Sequence, residues 1–175
     1  VYVVGEFNQA RPAGSPDKQN ESPRSNAMAY DITTGEMLDW APQLNAAANA
    51  IEASPDGSTL YIGGKFTSVN GQPASHLAAV DTAGQYKPLN GGTPGGAVSP
   101  NGTVRDLELS PDGSTLYMAG LFTQVNDLER LRAAALDLKT QQVTSFAPRV
   151  DDESEVRTIT VAADGSAIAI GGSFK

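Results

Sequence analysis

The sequence contains no cysteine. Disulfides, thiolate metal sites and a cysteine nucleophile are therefore excluded. It has a single histidine, His76, so a Ser-His-Asp relay would have to be built on that residue, and a metal site with several histidines cannot be built at all. No apolar run approaches the roughly 18 residues that read as a membrane-crossing helix. No basic stretch followed by an apolar one opens the chain as a secretory signal would. Val1 stands instead inside a strand-like run, VYVVGEF, which reads as the interior of a longer protein. Positive charge is also scarce: 12 Lys and Arg face 20 Asp and Glu, a net charge of −8. That disfavours nucleic acid phosphates and anionic lipid as partners, and solubility is its simplest purpose.

What the chain does have is enough apolar residues for a packed core, 39%, together with 18 glycines and 11 prolines for turns. These are the ingredients of a short-stranded all-β fold. The dominant feature is an internal repeat. VYVVGEF (1–7), LYIGGKF (60–66), LYMAGLF (116–122) and AIAIGGSF (167–174) match, with their phenylalanines stepped by 59, 56 and 52 residues. Gly5, Gly64, Gly120 and Gly172 stand two positions before them. SPDGSTL occurs at 54–60 and again at 110–116, and AADGSAI at 162–168 is a third copy. Apolar runs ending in Asp31, Asp81 and Asp137 keep the same phase, each followed by an aromatic or apolar residue near a proline.

Each unit predicts four strands. The first alternates, as in VRDLELS (104–110) and VRTITVA (156–162), giving one apolar face. SPDG then makes a tight turn, with Pro presetting φ and Gly accepting a positive φ. The second strand is apolar on both sides and must be covered on both faces. The third is the run ending in Asp, and the fourth is short. Alanine-rich Asn45–Ser54 has helix propensity, but the repeat phase predicts a strand over 48–54.

A tandem four-stranded unit of this size predicts a β-propeller blade. The fold expected is all-β, about three blades of a larger ring of roughly six to eight, with units 1–59, 60–115 and 116–167 and the start of another motif at 168–175. The segments LYIGGKFTSVNG, HLAAVD and Gly84 resemble the delta-sixty type of β-propeller repeat, best in the second unit and across essentially the whole chain. The resemblance implies a secreted or surface protein, often bacterial, whose role is binding or display, and it supplies no catalytic residues.

Two sets of loops are expected on one face. One joins second and third strands (8–24, 67–75, 123–130); the other joins consecutive blades (42–47, 88–103, 148–155). Loops on a rigid scaffold carry function, so Arg11, Asn20, Trp40, Asn70, Asn90, Asp127 and Asp151 are the candidate ligand contacts. Trp40 could stack on a sugar or pack a blade edge. His76 falls where Asn26 and Arg132 stand in the other units, which reads as a strand-start surface position. Asp151, Asp152, Glu153 and Glu155 could supply oxygens to Ca²⁺ but lack the spacing of a calcium loop, and a solvated acidic loop is the better reading. Asp31, Asp81 and Asp137 read as turn caps. SPDG misses the Asp box of sialidases by one residue, and GGTPGG (91–96) has neither the lysine nor the helix of a phosphate loop. No cofactor is expected.

The function expected is a non-catalytic extracellular scaffold holding a protein or carbohydrate ligand, with neither nucleic acid binding nor membrane insertion. A glycoside-cleaving propeller with its carboxylates elsewhere is one alternative. A structural component of a fibre, sheath or virion surface is another.

Overall fold

The SPDG segments make the turns that dictate the first pairing in each blade. In the computed structural model, which describes residues 1–90, 97–150 and 155–173, the Gly57, Gly113 and Gly165 backbones are left-handed, at φ 68°, 69° and 73°. The Asp56 carboxylate accepts the Ser54 hydroxyl at 2.6 Å and the Ser58 amide at 3.0 Å, while Ser54 Oγ accepts the Thr59 amide at 3.0 Å. Asp112 repeats these bonds with Ser110 and Ser114. The turn is thus held by its own side chains, and the strands on either side leave it antiparallel.

All regular elements among the described residues are strands. The first unit has β1 (Tyr2–Val4) and β4 (Ala27–Ala29), with a small hairpin of β2 (Gln9–Ala10) and β3 (Ser22–Pro23) between them. The second runs through β5 (Ala48–Ala53), β6 (Thr59–Gly64), the hairpin β7 (Ser68–Val69) and β8 (Gln72–Pro73), then β9 (Leu77–Asp81) and β10 (Tyr86–Lys87). The third repeats this as β11 (Val104–Leu109), β12 (Thr115–Gly120), β13 (Gln124–Val125), β14 (Leu128–Glu129), β15 (Ala133–Asp137) and β16 (Gln142–Val143). β17 (Glu155–Val161) and β18 (Ile168–Ser173) close the described chain. β5, β6, β9 and β10 form one four-stranded antiparallel sheet in chain order, and β11, β12, β15 and β16 form its equal. β1 with β4, and β17 with β18, make two-stranded sheets on either side. The alanine-rich stretch is strand, as its repeat phase predicts: tertiary pairing of Ile51 with Ile62 overrides alanine's helix propensity.

The core lies between the sheets. Strand alternation sends Leu60, Ile62, Ala78 and Val80 toward the first unit, where they pack with Ala27, Ala29 and Trp40. Tyr61, Leu77 and Ala79 point the other way, against Leu107, Leu116, Met118 and Leu136 of the third unit. Ala119 meets Val156 and Ile159 in a third layer. A strand with two apolar faces is explained by this: it sits between two cores.

The repeated glycine has an equally physical cause. The inner pairing slips by one residue between Ala48 and Ala50, between Val104 and Asp106, and between Val156 and Thr158. Asn49, Arg105 and Arg157 are the bulged residues. Opposite them, a Cβ on Gly64 would run into the Ala47 carbonyl, one on Gly120 into that of Thr103, and one on Gly172 into that of Glu155. Only glycine lets the two backbones approach this closely.

Two outcomes follow. Gly120→Ala forces the bulge apart and should cost about 1–3 kcal/mol in urea unfolding; an unchanged midpoint would show that the bulge yields freely. Asp56 and Asp112 are held at about 2, first by the Ser54 and Ser110 hydroxyls and then by the Ser58 and Ser114 amides. Folding therefore favours the charged form, and the stability it contributes is complete above the ordinary carboxylate pKa of about 4 and is lost as pH falls toward 2. Asp112→Asn should lower the melting temperature at pH 6, and that deficit should shrink on acidification to pH 2. A constant deficit across this range, followed by circular dichroism, would refute the turn's charge dependence.

Candidate functional site

The segment that enters each blade runs beside that blade's own β-hairpin. Leu44 bridges Val69 and Pro100 bridges Val125, both antiparallel. Two asparagines clasp each pair. Asn45 Oδ1 accepts the Thr67 and Ser68 amides at 2.8 and 3.0 Å, and its Nδ2 donates to Thr67 Oγ1 at 3.0 Å. Asn101 does the same with Thr123 and Gln124, at 2.8, 3.0 and 2.9 Å. From the hairpin side, Asn70 Oδ1 accepts the Gln43 amide and Asn126 Oδ1 the Ser99 amide, each at 2.8 Å. Asn70 and Asn126 are left-handed, at φ 49° and 51°, a conformation asparagine tolerates at low cost. The hairpins are fastened to the scaffold, not free loops.

Against this common frame the third blade departs from the second. In the second, Trp40 fills the interblade core and the chain passes directly into the clasp. In the third, Leu89 and Val98 take that place in the core, and the Val98 amide bonds the Leu89 carbonyl at 2.6 Å. At the hairpin tip Gly71 of the second blade is replaced by Asp127, both with positive φ, 76° and 63°. Asn90 and the hairpin tip share a cleft of about 440 Å³, lined by Asn90, Ser99, Asn101, Gln124, Asn126 and Asp127.

A larger cavity, about 660 Å³, lies where β5, β11 and β17 begin, lined by Glu6, Asn49, Arg105, Glu155 and Arg157 among others. Several of its polar groups pair with one another or with backbone. Glu155 reaches Arg105 Nε at 2.8 Å and Arg157 Nε at 3.1 Å. Arg157, then Arg105, holds the Glu155 carboxyl below the usual range. Asn49 Nδ2 donates to the Val104 carbonyl at 2.8 Å, and Asp106 Oδ2 accepts Thr158 Oγ1 and the Ile159 amide at 2.8 Å. The bulged and neighbouring residues thus tie each inner strand to the next.

Of the seven candidate contacts, the structure brings Asn90 and Asp127 into one cleft. Asn70 is committed to the clasp, its Nδ2 donating to the Gly84 carbonyl at 2.9 Å. Arg11 pairs with Asp17, and Asn20 stands exposed in the same long loop. Trp40 is a correction. It is 4% exposed, its Nε1 donates to the Asp81 carbonyl at 3.0 Å, and Tyr2 meets it edge-on at 4.8 Å, which leaves no ring face for a sugar. Asp151, with Asp152 and Glu153 of the acidic cluster, lies outside the described residues. No three metal-ligating side chains gather among the described residues. Asn26, His76 and Arg132 start their strands, the first two half-buried and Arg132 buried. All three are left-handed at φ 63–68°, and their side chains turn back onto the preceding backbone. Asp31, Asp81 and Asp137 cap turns by accepting backbone amides. Ser99, Gln124 and Asn126 were not singled out by sequence; the departure of Asp127 from Gly71 in the repeat was the available signal.

Stacked four-stranded antiparallel sheets with apolar layers between them define a β-propeller. The chain matches the family model described as the Rax2 C-terminal beta propeller domain over residues 27–174, and it belongs to that family. The match carries the propeller assignment; the delta-sixty type is a finer statement than it reaches. A chain of Kuenenia stuttgartiensis hydrazine synthase is similar in structure, with a TM-score of 0.57 and 21% identity over 83% of this chain and 37% of that one. This chain spans little more than a third of that structure's length, and the likeness is one of fold. No curated protein matches the sequence.

Asn101→Ala removes three hydrogen bonds from an exposed clasp and should cost about 1–2 kcal/mol in denaturant unfolding. Asn101→Asp, which keeps both acceptor bonds, should recover most of it. Equal losses for the two would mean that the amide's acceptor role is not what holds the hairpin.

Proposed function

We propose that this propeller is a non-catalytic binding or display scaffold that works outside the cell, of the delta-sixty type that its repeats resemble. The observation that carries the reading is the third-blade cleft. Repeat-conserved positions in this chain are spent on turns, interblade packing and the asparagine clasp, whereas Asn90 and Asp127, where the third blade departs from the second, share one open, polar concavity. Rigid elements that hold a concave polar surface are suited to recognition. The ligand is a protein or a carbohydrate, bound at the surface where blade-linking segments meet the hairpins. The net charge of −8 leaves nucleic acid and anionic membrane as poor partners.

The test has two arms. Protease added to intact source cells should cleave the protein without lysis, and the fluorescently labelled full chain should bind those cells saturably. Cleavage only after lysis would overturn the extracellular role, and a linear, unsaturable isotherm would overturn specific binding.

A further inference from the structure

The chain contains its own control for the cleft, because the second and third blades share the hairpin, the entering segment and the asparagine clasp around it. Ser99 and Gln124 stand where Gln43 and Ser68 stand in the second blade, and Asn101 and Asn126 repeat Asn45 and Asn70. In the second blade the Asn70 amide is fully used, with Oδ1 on the Gln43 amide and Nδ2 on the Gly84 carbonyl. In the third, the left-handed turn residue that answers Gly84 is Gln141, and its Oε1 accepts the Asn90 amide at 2.8 Å. Asn126 keeps its Oδ1 bond to Ser99, but its Nδ2 has no partner among the described residues. The side chains of Asn90, Gln124 and Asp127 and the Ser99 hydroxyl also have none there. Five polar groups without a partner among the described residues therefore line a single cleft.

We infer that this cleft is a binding site for a neutral polyhydroxylated ligand, the chemistry of a glycan. The inference rests on the binding reading above and names the ligand class for it. Three features select that class. Amides, a hydroxyl and a carboxylate offer mixed donors and acceptors, which match vicinal sugar hydroxyls. None of the described lining residues is Lys or Arg, and the Asp127 carboxylate repels an anion. Among those residues Ala97 is the one apolar side chain, so the hydrophobic anchor that a peptide partner needs is missing. One carboxylate is too few for calcium, which takes about 6–8 oxygens. The volume lies within the range of about 300–1,000 Å³ usual for small-ligand sites.

The discriminating variants are Asp127→Gly and Gln124→Ser, which install the residues that the second blade carries at those positions. Gly71 holds a left-handed backbone, so Asp127→Gly suits the turn and leaves the fold intact. The full chain is screened against an array of neutral hexose and N-acetylhexosamine oligosaccharides, and hits are titrated by ¹H–¹⁵N correlation NMR. The expected result is shifts centred on Asn90, Ser99, Gln124, Asn126 and Asp127, with binding at least about tenfold weaker in Asp127→Gly. Equal affinity in parent and both variants would overturn this site. Failure of the array while the labelled chain still binds cells saturably would overturn the glycan class and leave the scaffold reading intact. Failure of both would remove both.

Discussion

A β-strand whose two faces are both apolar cannot be satisfied by one sheet and one core. β6 is buried along nearly its whole length, Leu60 and Ile62 on one side and Tyr61 on the other. Everything else in the chain answers that demand. Each four-stranded sheet has a neighbour on either side, so the core becomes a series of layers between blades. The inner strands lie side by side and are joined by Asn49 to the Val104 backbone and by Asp106 to Thr158 and Ile159. The glycine opposite each bulge exists because this crowded inner edge leaves no room for a Cβ.

The same crowding explains how polar side chains are spent. Serines and aspartates hold the SPDG turns, Asp31, Asp81 and Asp137 hold the turns after the third strands, and paired asparagines hold the hairpins against the segments that enter each blade. Bonds of this kind, at exposed positions, are each modest in net worth, and they act together. A repeat protein in which the same residues recur at the same joints therefore separates structural polarity from the remainder. In the third blade the remainder is local: Asp127 in place of Gly71, Gln141 in place of Gly84, and Leu89 and Val98 in the core place of Trp40.

Much of the fold was legible because the repeat is written in residue types with strict backbone meaning. Gly57 and Gly113 mark left-handed turn positions, Gly64 and Gly120 mark the close approach at the bulge, and the period-2 apolar runs mark strands. The site was far less legible. Asn70 and Asp127 look alike as polar hairpin residues, yet one is a tie bar and the other faces open space. Trp40 looks like a surface aromatic beside a loop, yet it is a core residue with its indole N–H bonded to Asp81. His76 and Arg132 look like solvent-facing positions, yet both turn back onto the backbone.

Sequence by itself determined the main strands, their turns, their order within a blade and the tandem stacking, because these depend on local dihedral preferences and on a recurring periodicity; the small hairpins within the expected loops, such as β7 with β8, came only from the structure. It also excluded disulfides and thiolate metal sites by composition alone. Tertiary structure decided which polar groups are consumed and which remain available. That depends on distances between segments tens of residues apart, such as Asn90 and Gln141, Ser99 and Asn126, or Arg105 and Glu155. No residue type encodes whether its partner will be there; only the folded path of the chain brings it within hydrogen-bond reach or leaves it facing a cleft.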